Sequence, residues 1–480
     1  MRVLPLLALL SACSTDSALS SGQYGVSPGG SQDIALAHDL IEAGQIPARD
    51  HFTAEGLFSE HDLPLEGAAC TQLLCPRAAA AYQAPVDGGP ARYVAQLGFG
   101  TSISEETFTR APVRIAVTID TSGSMEGPDR LGAVQDAVLA MIPQLDEHDQ
   151  VALVVYGSEA RLVKPMTTMD AAGREAMERA VRDLTTEGST NMEAGMVIAY
   201  HALAEGSDGA GVEERLMLFT DAQPNTGDVS PTGFLGLVRT GADDGIGITV
   251  LGVGLDLGSE LADALAQTRG GNSYYLPDAA SAATLFEEEF PFMVTPLAYD
   301  LAVELVPAEG VTLGEGYGMP VDGLTSAFGA STLFLSRSDG ALAITLDAPA
   351  LDPGAALGTL SLSYAPADGA PVVSDALALA WEGGAAWSGA AGLGDDLGAY
   401  KLSVLLDAYQ ALLAGADLCA GTLPRPDAVA RIELATERLD AVAIELPDAP
   451  IADLGVLIGM LGDLAAADPL PCADADAYIY

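Results

Sequence analysis

The most constraining feature of this chain lies between Val113 and Val294, where the sequence switches repeatedly between short β-branched apolar runs and amphipathic stretches of helical period. The strand candidates are VRIAVTI (113 to 119), QVALVVYG (150 to 157), ARLVKPM (160 to 166), RLMLFT (215 to 220), GITVLGVG (247 to 254) and NSYYL (272 to 276). Helical spacing fits RLGAVQDAVLAMIPQL, AAGREAMERAVRDL, NMEAGMVIAYHALAE, GFLGLVRTGA, SELADALAQTR and AATLFEEEFPFM between them. A strand cannot bury both faces alone. Alternation of this kind therefore predicts an α/β fold, a doubly wound and mostly parallel sheet with helices on both faces. Ligands in such sheets bind outside the carboxyl ends of the strands.

The flanks obey other periods. From Tyr299 to about Trp381 the repeat is two, in YDLAVELV, STLFLSR, ALAITLD, GTLSLSYA and DALALAW, which predicts an antiparallel β-sandwich-like domain. The alternating stretch ARYVAQLGFG, 91 to 100, is a candidate further strand of it, which would make the α/β region an insertion. Helical spacing returns from Leu397 to Ala467 and predicts a hairpin or small bundle. The expected organisation is a signal peptide (1–12), a Ser/Gly-rich tether (13–32), an N-terminal helical segment and strand (33–110), the α/β domain (111–294), the sandwich (295–385) and a C-terminal helical region (386–480).

Composition narrows the partners. The chain has 67 acidic against 20 basic residues, a formal net charge of -47. Nucleic-acid binding needs cationic side chains to displace phosphate counterions, so no nucleic-acid partner is expected. Anionic lipid would be repelled too, and membrane attachment must use something other than a basic patch.

The N-terminus supplies such a device. Arg2, the apolar run Val3 to Leu10 and the small residues up to Cys13 have the form of an export signal too short to span a bilayer. Leu10-Ser11-Ala12-Cys13 resembles a bacterial lipobox, which implies that Cys13 is lipidated and becomes the N-terminus, with the following tether holding the folded part off the membrane. Ser14 in place of Asp gives no sign of inner-membrane retention and favours the outer membrane, facing the periplasm or the cell surface. In an oxidising compartment the remaining cysteines suit two disulfides, with Cys70 to Cys75 and Cys419 to Cys472 as the expected pairs.

The residues that carry chemistry follow the first α/β strand. Asp120-Thr121-Ser122-Gly123-Ser124 is a D-x-S-x-S sequence placed to face the ligand edge of the sheet, and Thr190 in EGSTNMEAG and Asp221 in LMLFTDAQPN stand at other edges. Hydroxyls and carboxylates suit a hard divalent cation, Mg2+ or Mn2+, rather than zinc, and none of the five histidines lies near these loops.

The ordered set of D-x-S-x-S, Thr190 and Asp221 resembles the metal-ion-dependent adhesion site of the von Willebrand factor type A (VWA) family, over about residues 111 to 294. The resemblance implies that Ser122, Ser124 and, in the ligand-bound form, Thr190 bind the metal directly. Asp120 and Asp221 would act through water or hydrogen bonds. Mg2+ is the expected ion, with Mn2+ or Ca2+ as alternatives. A cation held by neutral hydroxyls stays under-compensated, so an open position would take an Asp or Glu from a protein partner. IEAGQIPARDHFTAEGLFSEHDL and MVTPLAYDLAVELVP extend the resemblance to bacterial lipoproteins of the YfbK-like kind, up to about Ala367.

Other signals are set aside. Gly25 to Gly29 fits G-x-S-x-G but lies in the tether, Glu287 to Glu289 reads as a solvated helix face, and Asp474 and Asp476 form no EF-hand. Trp381 and Trp387, flanking a Gly-rich stretch, read as sandwich-edge packing rather than a ligand platform. No Ser/His/Asp or Cys/His arrangement has supporting context, so no enzymatic activity is expected. The leading expectation is a lipid-anchored envelope protein that captures a protein through a divalent metal. The alternatives are a metal-independent envelope scaffold and, further off, a metal-dependent hydrolase.

Overall fold

A computed structural model of the chain describes residues 25–28, 34–65, 67–104, 108–126, 128–206, 211–221, 231–253, 268–276, 279–317, 321–322, 325–336, 341–383, 397–446 and 448–473. In chain order the strands are β1 (Gly25–Pro28), β2 (Leu74–Gln83), β3 (Arg92–Thr101), β4 (Val113–Asp120), β5 (Gln150–Tyr156), β6 (Ala160–Thr168), β7 (Glu213–Thr220), β8 (Gly247–Val253), β9 (Gly271–Leu276), β10 (Pro296–Pro307), β11 (Thr312–Tyr317), β12 (Val321–Asp322), β13 (Thr325–Ser336), β14 (Leu342–Asp347), β15 (Ala355–Pro366) and β16 (Val373–Trp381). The helices are α1 (Ala35–Glu42), α2 (Ala54–Ser59), α3 (Ala133–Met141), α4 (Ala171–Arg182), α5 (Met192–Ala204), α6 (Pro231–Asp243), α7 (Ala279–Met293), α8 (Leu397–Cys419), α9 (Arg425–Glu445) and α10 (Ala449–Ala466).

The α/β region is the doubly wound sheet that the alternating pattern implies. Its order is β6-β5-β4-β7-β8-β9, with β6 antiparallel and the rest parallel. All eight residues of β4 are buried because both faces are covered. Val113, Ile115, Val117 and Ile119 point into a core shared with α3, α4 and α7, whereas Ala116 enters the opposite core with α5 and α6. Period two along one strand thus feeds two hydrophobic layers. Of the expected helices, SELADALAQTR lies largely outside the described residues.

A two-sheet sandwich adjoins this domain. One sheet runs β1-β13-β10-β15-β16 with β12 on β13, and the other runs β11-β14-β3-β2. Tyr93, Leu97 and Phe99 from the smaller sheet meet Leu301, Val303, Leu360 and Leu379 from the larger in one core. Trp381 is buried there, its ring 5.3 Å from that of Tyr93. Trp387 lies outside the described residues.

One expectation needs correction here. Residues 25–28 of the presumed tether, where the G-x-S-x-G pattern begins, form β1 and pair antiparallel with β13; an edge strand leaves unpaired backbone groups, and a short strand satisfies them. The alternating stretch at 91 to 100 is β3 and joins the sandwich, so the α/β sheet is inserted between strands of a single sheet, as that alternation implied. Beside it LCPRAAAAYQ folds as a strand despite its alanine run because it pairs along its whole length with β3.

Helices α1 and α2 pack with the C-terminal helices. Ile41, Leu57 and Phe58 share a core with Leu405, Leu412, Ile432, Leu439 and Ile458. Ile46 donates to the Pro471 carbonyl at 2.8 Å beside the Cys419–Cys472 disulfide, and Cys70 is bonded to Cys75. Helices α8 and α10 are long and apolar enough to cross a bilayer. In α8, however, Lys401 and Asp407 are buried and paired, with Asp448 at 2.6 Å and Arg438 at 2.7 Å, as befits a core helix.

The sandwich docks on the amino edge of the parallel sheet. Arg215 at the start of β7 is fully buried, donates to Thr249 Oγ1 and the Gly270 carbonyl, and lies 5.1 Å from the Phe334 ring of β13. The Gly270 amide donates to Thr332 Oγ1 at 2.7 Å. The carboxyl edge, with Asp120 and Asp221, is the opposite one.

Candidate metal centre

β4 ends on Asp120, which is fully buried, and the chain turns at once through Thr121 and Ser122 into a short 3-10 turn, Gly123–Met125. The turn is pinned locally because the Ser122 amide donates to Asp120 Oδ1 at 2.7 Å, closing an Asx-type ring. Thr121 is tied to the neighbouring strand, its amide and hydroxyl both donating to the Tyr156 carbonyl, at 2.8 and 3.0 Å.

A second loop is bonded to the first. Gly123 donates to the Gly188 carbonyl at 2.9 Å, and Glu187 donates to the Thr121 carbonyl. The same loop also lies against the turn after β5, and that close approach requires glycine twice. A Cβ on Gly157 would stand 2.3 Å from the Glu187 carbonyl oxygen, and Gly188 has φ +74° with Ser158 Oγ 2.0 Å from where its Cβ would be. Thr190 follows, buried, immediately before Asn191, whose side chain caps α5 by accepting from the Ala194 amide. The third element is the end of β7, which carries Thr220 and Asp221.

The side chains form a chain of oxygens. Ser124 Oγ donates to Asp221 Oδ1 at 2.8 Å, and Ser122 Oγ lies 2.9 Å from Ser124 Oγ. With the single proton of Ser124 committed to the carboxylate, Ser122 is the donor between the two hydroxyls. Of the five residues expected at the site, the structure joins Ser122, Ser124 and Asp221 directly, attaches Asp120 through the Ser122 backbone, and places Thr190 on the loop sewn to theirs. Cys13 lies outside the described residues.

The electrostatics are those of a site short of positive charge. Burial pushes the Asp120 carboxyl up to about 6, against the hydrogen bonds from Ser122 that lower it, and the nearby Asp221 raises it further. The donors to Asp120 among the described residues are neutral, including the Thr220 hydroxyl at a long 3.5 Å. Burial and the Asp120 charge raise the Tyr156 phenol well above its usual range.

These residues fit a small divalent cation. Adjacent corners of an octahedron with metal–oxygen bonds of about 2.1 Å are roughly 3 Å apart, so the two serine hydroxyls, 2.9 Å apart, stand close enough to be neighbouring ligands of one ion. Among the described residues no cluster of three or more His, Cys, Asp or Glu offers another metal site.

Sequence reasoning missed Arg130. Its Nη1 donates to Asp221 Oδ2 and to the Ser124 carbonyl, both at 2.8 Å, from a π-turn, Pro128–Gly132, that leads into α3. The available signal was its isolation, since it is the one Lys or Arg between Arg114 and Arg161 in an acid-rich stretch.

A doubly wound sheet with hydroxyls and carboxylates gathered from three loops at its carboxyl edge defines an α/β domain with an oxygen-donor centre. The chain carries a von Willebrand factor type A domain, the family that residues 115–288 match. The protein YfbK of Escherichia coli (strain K12) is 28% identical over 188 residues, 39% of this chain and 32% of that one. Human inter-alpha-trypsin inhibitor heavy chain H4 is 25% identical over 201 residues, 40% of this chain and 21% of that protein. The matches thus span a third or less of these two relatives. A solved structure described as von Willebrand factor type A from Catenulispora acidiphila is 19% identical and covers 84% of this chain and 92% of its own, with a TM-score of 0.49.

Proposed function

We propose that this protein is a lipid-anchored component of the bacterial cell envelope whose VWA domain binds a protein partner through a divalent cation. The observation that carries this reading is the oxygen chain Ser122–Ser124–Asp221, with its 2.9 and 2.8 Å spacings beside the desolvated Asp120. Ser122 and Ser124 would be direct ligands, Thr190 would join them in the partner-bound form, and Asp120 and Asp221 would act through water or hydrogen bonds. Mg2+ is the proposed ion, with Mn2+ or Ca2+ as alternatives, because neutral hydroxyls with carboxylates nearby suit a hard cation. A bound cation supplies one Lewis-acidic position for an Asp or Glu of the partner. The chain's own work is to orient that position. Asp221 holds the Ser124 proton, so a cation that displaces the Ser122 hydrogen from Ser124 Oγ meets only lone pairs there, while the Asp120–Ser122 ring holds the loop.

Domains of this family typically mediate protein interactions, which supports a binding role over a catalytic one. The bacterial relatives and the export signal ending in Cys13 support the envelope, with lipidation of Cys13 as the anchor and the outer membrane favoured. The test is calorimetric titration of MnCl2 into the full-length protein and into the Ser122→Ala/Ser124→Ala double variant. Saturable binding by the native protein that the double variant loses is expected; equal binding by both would defeat the assignment. Fatty-acid labelling should disappear in Cys13→Ser.

A further inference from the structure

We propose that Arg130 is a built-in counter-cation that loosens the hold of the candidate centre on its metal and, in return, tightens the hold of the bound metal on a partner carboxylate. This deepens the function proposed above and rests on it. The observation is independent of the serine motif. The Arg130 guanidinium bridges Asp221 Oδ2 and the Ser124 carbonyl, so it touches the oxygen of Asp221 that Ser124 does not use. The Asp221 side chain has no exposed surface, while 44% of the Arg130 side chain remains accessible. The fixed cation therefore reaches a buried carboxylate from the solvent side. The π-turn that carries Arg130 is a local widening of helical geometry of the kind that re-aims a side chain.

The consequence follows from counting charge. Two carboxylates and one guanidinium sum to one negative charge, and a divalent ion changes that to one positive charge. Without the guanidinium the same ion would only neutralise the site. Arg130 thus opposes entry of the metal by direct repulsion and by occupying one oxygen of Asp221, and it leaves the loaded centre with an excess that an incoming Asp or Glu can neutralise. That excess also answers a conflict set by the sequence. A formal charge of -47 repels acidic ligands at long range, so a centre meant to receive one needs a local positive field.

The test is Arg130→Gln against Arg130→Lys in the full-length protein, with Mn2+ alone as the first probe and acetate as the second. Calorimetry should show Arg130→Gln binding Mn2+ about three- to tenfold more tightly than the native protein, and Arg130→Lys within about twofold of it. Acetate displacement of water from the loaded centre, followed by water-proton relaxation at constant ionic strength, should weaken at least about threefold in Arg130→Gln. A purely structural clamp predicts the opposite sign, because loss of the bridge to the Ser124 carbonyl would slacken the turn and weaken metal and acetate together. That outcome, or unchanged Mn2+ affinity in Arg130→Gln, overturns the proposal while leaving the metal centre standing. No Mn2+ binding by the native protein overturns both.

Discussion

Asp221→Asn is the sharpest perturbation of the proposed centre, because it removes one charge with almost no change of shape. Asp221 Oδ1 lies 2.8 Å from Ser124 Oγ. A divalent ion bonded to that hydroxyl at about 2.1 Å would stand within about 5 Å of the carboxylate. At that separation the attraction is about 2 kcal/mol at the dielectric of water and about 7 kcal/mol at an effective value of about 20. The Asp221 side chain is fully buried, which argues against the lower figure, and removing its repulsion of Asp120 returns part of the upper one. A loss of about 3 kcal/mol remains, roughly a hundredfold in affinity. Arg130, left without its partner, pushes in the same direction. Calorimetry with MnCl2 near neutral pH and about 0.15 M salt reads the effect directly. Urea unfolding in chelator should show the variant within about 2 kcal/mol of the native protein, since one charged hydrogen bond and one half-exposed ion pair are lost. A folded Asp221→Asn protein that binds Mn2+ within about threefold of native affinity would refute the electrostatic argument.

Asp407→Ala removes the carboxylate paired with the buried guanidinium of Arg438 between α8 and α9, and urea unfolding should report a loss of about 3 kcal/mol, largely restored in Asp407→Leu/Arg438→Met. Burial lowers the His61 imidazole from its ordinary 6.5 to about 4, so the folded state resists protonation and stability falls as pH drops from about 6.5 towards 4. Burial acts oppositely on Asp407, raised from 3.8 to about 6, which adds stability as pH falls from about 6 to 3.8 and so opposes the His61 effect over most of that range. His61→Leu should therefore be relatively more stable than the native protein at the acid end, and parallel urea-stability profiles for the two proteins would contradict the assignment. Cys419 and Cys472 close a loop of 53 residues and Cys70 and Cys75 one of 5, so serine pairs at these positions should cost about 4 and about 2 kcal/mol in thermal unfolding.

The sheet was legible because its signal is local. Each run such as VRIAVTI is a short β-branched segment bounded by helical stretches, which is enough to give a mostly parallel sheet, although the order β6-β5-β4-β7-β8-β9 was left to the fold. Asp120, Ser122 and Ser124 were legible for the same reason, lying within five residues at the end of a buried strand. Arg130 was not, because its importance lies in meeting Asp221, which follows the end of β7 91 residues away. Nor were β1 and β2, whose partners β13 and β3 decide that a Ser/Gly tether and an alanine run become strands.

The sequence by itself determined the α/β class, the oxygen-donor chemistry of the loop after β4, and the acidity that any partner must contend with, since these depend on residue identity and short-range period. Only the tertiary structure decided that β2 pairs with β3, that the first and last helices share one core, and that a single arginine sits on the buried carboxylate of the centre. Those outcomes come from contacts between residues far apart in the chain. No local pattern records them, because burial, pairing and charge compensation are settled only when distant segments meet.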